Sequence, residues 1–123
     1  MDSEEFANLL YEAQNLMKEE KYREALEKLE ILQKIEKNGD FNYNLTHKLY
    51  QLISNAASLL NQQILLKYIN QVSKKQKSIT FRDLNLLLKK EISFDEDILR
   101  REVELLILRG LLSCKIQGNQ LIF

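Results

Sequence analysis

Only two side chains in this sequence of 123 residues could serve as an imidazole base or a thiolate nucleophile. His47 is the single histidine and Cys114 the single cysteine, 67 positions apart. His47 lies beside Thr46 and Lys48 in a helical stretch and reads as a structural or exposed histidine. Cys114 falls at an inward-facing strand position, where a free thiol behaves as a small hydrophobe. There is no glycine-rich phosphate loop, no HExxH and no GxSxG. Carboxylates are plentiful, but Glu19, Glu20, Glu24 and Glu27 belong to charged helix faces. Glu24–Lys28 and Glu30–Lys34 have the favourable i,i+4 order for ion pairs. The expectation is a protein that is not an enzyme, with no cofactor, no metal and no small-molecule substrate.

Composition narrows the class. The chain is 45% hydrophobic and 29% charged, with no proline and three glycines. That suits one integrated, mainly helical domain able to bury a core without staples. A single cysteine excludes an internal disulfide framework and a cysteine-rich zinc site. Eighteen basic and eighteen acidic residues cancel, so bulk charge does not make this a polybasic binder. No apolar run approaches the roughly 20 residues that span a bilayer, so no membrane partner is expected. Asp2, Glu4 and Glu5 carry the wrong sign for a secretory or mitochondrial signal, and a cytoplasmic location is expected. The zero is asymmetric. Residues 1–61 hold seven Lys/Arg against eleven Asp/Glu, net −4, and residues 62–123 hold eleven against seven, net +4. The shift near Asn61-Gln62-Gln63 marks a join between a segment 1–61 and a segment 62–123, with no flexible linker.

The elements follow from spacing. Asp2 and Glu5 have capping-box spacing before Phe6, Leu9, Leu10, Ala13, Leu16 and Met17. A turn at Lys18-Glu19-Glu20-Lys21 leads to a second stripe, Tyr22, Ala25, Leu26, Leu29, Leu32 and Ile35, antiparallel to the first. Asn38-Gly39 predicts a stop of the left-handed type. A third helix starts near Asn42 or Asn44 and carries Leu45, Leu49, Leu52, Ile53, Ala56, Leu59 and Leu60. A fourth is predicted over about 64–73. Then come a short strand at Ser78-Ile79-Thr80, a helix capped by Thr80 with Asp83, and a longer helix opened by Ser93 with Glu96 and closed by Gly110. Residues 111–116, a Gln117-Gly118-Asn119 turn and Gln120–Phe123 read as a β-hairpin. From 64 onward the order is helix, strand, helix, helix, hairpin, which is the winged-helix order.

Two resemblances emerge from these residues. Leu9, Ala13, Leu16, Tyr22, Ala25, Leu29 and Leu32 resemble a tetratricopeptide-repeat helical hairpin, with Glu20 standing where that family usually has glycine. Ile79-Thr80-Phe81-Arg82-Asp83-Leu84, Asp95 to Gly110, Leu111-Leu112 and the wing look like the winged-helix half of a PCI domain. That module is shared by the proteasome lid, the COP9 signalosome and the initiation factor 3 complex. The resemblance implies a mainly α fold: a helical hairpin plus third helix packed on a C-terminal winged helix with a short β-hairpin wing. It also implies a protein–protein scaffold whose subunits associate through their winged-helix sheets.

Two functions compete on the sequence. As a scaffold, the chain offers Gln120, Leu121, Ile122 and Phe123 as an uncharged sheet edge for a partner protein, a second copy of the chain among the candidates. Phe123 folding onto the domain's own helices is the other reading of that segment. As a nucleic-acid regulator, the chain offers Lys74, Lys75, Lys77, Arg82, Lys89 and Lys90 as a basic edge for phosphates, or else as ordinary solvated turns. The helix that would enter a major groove begins Ser93-Phe94-Asp95-Glu96-Asp97. Over 95–109 it holds three arginines against five acids. Acids at that position repel DNA, and the scaffold is the favoured expectation.

Overall fold

The Asp2 carboxylate accepts the Glu5 amide at 2.8 Å, and behind that cap helix α1 runs Ser3–Lys18. The computed structural model describes residues 1–123. After α1 come α2 (Tyr22–Lys37), α3 (Tyr43–Ser73), β1 (Ser78–Thr80), α4 (Phe81–Leu88), α5 (Glu96–Leu108), β2 (Lys115–Gln117) and β3 (Gln120–Ile122). The protein is therefore mainly helical, with one small three-stranded antiparallel sheet. By backbone proximity it divides into two compact units, Met1–Leu60 and Asn61–Phe123.

In the first unit α1 and α2 pack together, with Ala13 and Ala25 fully buried. Their link is a tight C-cap. The Glu20 amide donates to the Met17 carbonyl at 3.0 Å and the Lys21 amide to the Leu16 carbonyl at 2.9 Å. This bond pair needs a left-handed residue between helices, and Glu20 supplies it with φ 63°. Lys28 pairs with Glu12 of α1 at 3.7 Å, across the hairpin rather than with Glu24 along its own helix. The core holds Phe6, Leu10, Leu29, Leu32, Leu49, Leu52 and Ala56. Glu36 ties α2 to α3, accepting from Tyr50 Oη at 3.1 Å and Thr46 Oγ1 at 3.4 Å.

The expected stop at Asn38-Gly39 works differently. Asn38 has φ −104°, and Gly39 is not left-handed. The helix end is closed by Asn38 Nδ2 donating to the Lys34 carbonyl at 3.1 Å. Gly39 serves by its size. A Cβ there would run into the ring of Phe41, which stacks on Phe6 with centroids 4.4 Å apart.

Asn42 caps α3, its Oδ1 accepting the Leu45 amide at 2.9 Å. The separate fourth helix does not exist: α3 continues without a break through Asn61-Gln62-Gln63 to Ser73. None of those three residues breaks a helix. On a helix of 3.6 residues per turn, the apolar positions over 45–60 are out of phase with those over 64–72. The change of phase imitates a change of element.

In the second unit Thr80 Oγ1 accepts the Asp83 amide at 3.1 Å and opens α4. The Ser93–Glu96 box is not used. Asn85 Nδ2 donates to the Phe94 carbonyl at 2.9 Å, and α5 starts after it with Asp95 as cap, accepting the Asp97 amide at 3.1 Å. Gly110, at φ 75°, closes α5 as predicted. Residues 111–114 are not strand; β2 begins only at Lys115. The hairpin turn is two residues, with Gly118 at φ 63°. Buried side chains of this unit include Leu65, Ile69, Ile79, Leu84, Leu88, Leu99, Val103, Leu106 and Leu121. No helix is long and apolar enough to cross a membrane.

Candidate functional site

The sheet order is β1-β3-β2. Gln120, Leu121 and Ile122 therefore form the central strand, paired to Ile79 and its neighbours on one side and to Ile116 and its neighbours on the other. This corrects the expectation of an open edge at 120–123. The short strand Ser78–Thr80 occupies the position where a partner strand was expected, and Leu121 is fully buried. Phe123 donates its amide to the Lys77 carbonyl at 2.9 Å. Its ring lines a crevice with Ile69, Leu111 and Leu112, within its own unit.

The unpaired edge next to the wing turn is β2 instead. Gln117 and Gln120 flank a two-residue turn and exchange backbone bonds, as do Lys115 and Ile122 two positions on. The N–H and C=O of Ile116 consequently face away from β3. Beside this edge lies a groove of about 630 Å³ lined by Arg100, Glu104, Ile107 and Leu108 of α5 and by Cys114, Lys115 and Ile116. Leu108 is 82% exposed. Ile98 and Leu105 are also exposed on α5 while Leu99, Val103 and Leu106 form its buried face. The helix thus carries more apolar residues than its own core uses. Of the apolar residues outside the buried stripe, Ile107 and Leu108 line the groove, whereas Ile98 and Leu105 lie on another face of α5, so the surplus alone does not locate it.

Arg100 anchors one wall. Its Nη1 donates to the Gly118 carbonyl at 2.8 Å, its Nε lies 3.3 Å from Glu104 Oε1, and its guanidinium sits 5.5 Å from the Phe81 ring centre. Partial burial pushes the Cys114 thiol above its ordinary pKa, so it is a poor thiolate. The start of α5, Asp95, Glu96 and Asp97, is exposed and acidic.

The six cationic residues lie elsewhere in the unit. Lys74, Lys75 and Lys77 occupy the turn between α3 and β1, Arg82 the first turn of α4, and Lys89 and Lys90 its C-terminal end. All six are exposed and none is paired with an acid. Lys67 is the lysine that meets Glu91, at 4.0 Å. His47 is exposed and stacks on Tyr43 with centroids 5.8 Å apart. No three His, Cys, Asp or Glu side chains converge in the geometry of a metal site. In comparisons with known proteins the chain matches no family model, no curated protein and no solved structure.

Proposed function

We propose that this chain is a non-enzymatic protein–protein interaction scaffold of PCI-like type, working in the cytoplasm. In this reading a tetratricopeptide-like helical segment leads through α3 into a winged-helix unit that receives a partner chain. The observation that carries the reading is the apolar groove between α5 and the unpaired β2 edge. A partner strand laid along β2 gains backbone bonds to Ile116 and sets an apolar side chain against Ile107, Leu108 and Cys114. The element order from α3 onward supports the winged-helix assignment.

Charge weighs against duplex DNA as the ligand. A DNA-reading winged helix lays its third helix in the major groove. Here that helix opens with three acids, and Arg100 is spent on Gly118, Glu104 and Phe81. The second reading, a nucleic-acid regulator, rests on the six exposed, unpaired cations from Lys74 to Lys90.

Peptide selection tests the scaffold. Random peptides displayed on phage and selected on the intact chain should yield extended sequences with alternating apolar residues. Ile116→Pro removes the outward amide without touching the β2–β3 bonds, and should abolish their binding; Leu108→Lys should weaken it. Failure to enrich any peptide, or equal binding to both variants with unchanged circular dichroism, would overturn the proposal.

A further inference from the structure

The outward faces of α4 and α1 match in spacing and oppose in charge. On α4, Arg82, Leu86 and Lys89 follow one another at i, i+4 and i+7, with Leu87 and Lys90 alongside. Leu86 is 54% exposed and Leu87 41%, and the three cations have no acidic partner. Asp83 is the one acid on that face. On α1, Glu4, Asn8 and Tyr11 stand at the same i, i+4, i+7 spacing with Glu5 alongside, all exposed, and Tyr11 is 61% exposed. The only basic residue of α1 is Lys18, in its last turn. Beyond these faces, residues 1–61 carry net −4 and residues 62–123 net +4.

We infer that the chain associates with a second copy of itself, the α4 face of one molecule docking on the α1 face of the other. Laid antiparallel, Lys89 and Lys90 at the C-terminus of α4 meet Glu4 and Glu5 at the N-terminus of α1. Each pair of charges sits at the helix end whose own dipole favours it, and the attraction across the contact comes from the side chains. In that register Arg82 stands opposite Tyr11 and Leu86 opposite Asn8, and the Tyr11 ring, leaning toward its helix N-terminus, covers Leu86 and brings apolar area to a contact otherwise made of charge. Exposed ion pairs alone hold little. Leu86 and the tyrosine make the contact adhesive, and the charges fix its partner and direction. The inference goes beyond the scaffold reading and names a partner of its own. It uses a surface separate from the α5–β2 groove, so the two stand or fall on different variants.

Sedimentation equilibrium of the intact chain tests it through a charge swap. Wild type should self-associate at low salt, about tenfold more weakly when ionic strength rises from roughly 0.05 to 1 M. Lys89→Glu with Lys90→Glu should be monomeric, and so should Glu4→Lys with Glu5→Lys. An equimolar mixture of the two reversed proteins should associate again. Glu4→Gln with Glu5→Gln gives a loss-of-contact variant that does not oppose the α1 dipole, and circular dichroism checks the fold of each. A monomeric wild type at low salt, or reversed variants that associate like wild type, overturns the inference. So does a mixture that stays monomeric. If instead Lys89→Glu with Lys90→Glu abolishes binding to phosphatidylserine vesicles or to RNA while wild type is monomeric, the α4 face serves that anionic ligand and the self-association is refuted.

Discussion

Arg100 Nη1 donates a 2.8 Å hydrogen bond to the carbonyl of Gly118, joining the middle of α5 to the turn between β2 and β3. The same guanidinium lies over Phe81, the first residue of α4. One side chain thereby fixes the wall of the groove to the edge strand that borders it. Arg100→Ala should cost about 1 kcal/mol, the value of one hydrogen bond to a charged donor discounted for partial exposure. Urea denaturation reads the loss, and faster amide exchange in 115–122 locates it. Arg100→Lys should not restore protection, because lysine lacks the planar fork that reaches Gly118 and Glu104 together. Unchanged exchange in the alanine variant would show that the turn holds itself.

Glu20 stands left-handed between α1 and α2. A non-glycine residue there costs about 1–2 kcal/mol relative to an unstrained conformation. Glu20→Gly should therefore raise stability by about 0.5–1 kcal/mol, after the greater freedom of glycine in the unfolded chain is subtracted. The observable is a higher midpoint in thermal and urea unfolding. A lower midpoint would mean that the side chain contributes more than its backbone conformation costs.

Gly39 requires the opposite result. A methyl group there meets the Phe41 ring, which is stacked on Phe6 in the first core. Gly39→Ala should destabilise the protein by about 1–3 kcal/mol, the usual cost of overpacking. The double variant Gly39→Ala with Phe41→Ala should lose less than the sum of its parts. Strict additivity in that cycle would contradict the contact.

Tyr68 donates its hydroxyl hydrogen bond to Glu91, and that bond, with some burial and the nearby negative charge, raises the phenol above its ordinary pKa. The neutral phenol is the form that the fold favours. Its contribution is complete below the unfolded value, near pH 10, and is lost as pH climbs through the higher folded value. Tyrosinate absorbance of wild type minus Tyr68→Phe should give a titration with its midpoint above that of a free tyrosine. A midpoint at or below the free value would exclude the Glu91 bond.

What the sequence disclosed was what is local. Asp2 three residues before Glu5 and Thr80 before Asp83 are caps legible from spacing, because the donor and acceptor lie within one turn, and Asn42 is one of the two starts that the sequence offers for α3. Ser93 had the same spacing to Glu96 and was passed over. The clamp of Asn85 on the Phe94 carbonyl lies nine positions back along the chain, beyond any local pattern. Strand order is non-local in the same way. Nothing in Leu121-Ile122-Phe123 shows that Ser78–Thr80 takes its free side, which makes β3 central and leaves the edges to β1 and β2. The continuity of α3 was hidden by a stripe that changes phase. Of the candidate groove, the sequence showed only Ile107 and Leu108, apolar residues of α5 outside its buried stripe. The groove's other wall depends on Arg100 reaching a carbonyl 18 positions away.

The central claim is that this chain receives protein rather than nucleic acid. The most direct measurement is fluorescence anisotropy of labelled duplex DNA and single-stranded RNA titrated with the protein at roughly 50 and 200 mM salt. The account predicts no binding, or weak binding from the exposed lysines that vanishes at the higher salt. Sub-micromolar binding that survives the higher salt would contradict it, and would make the cations from Lys74 to Lys90 the functional surface.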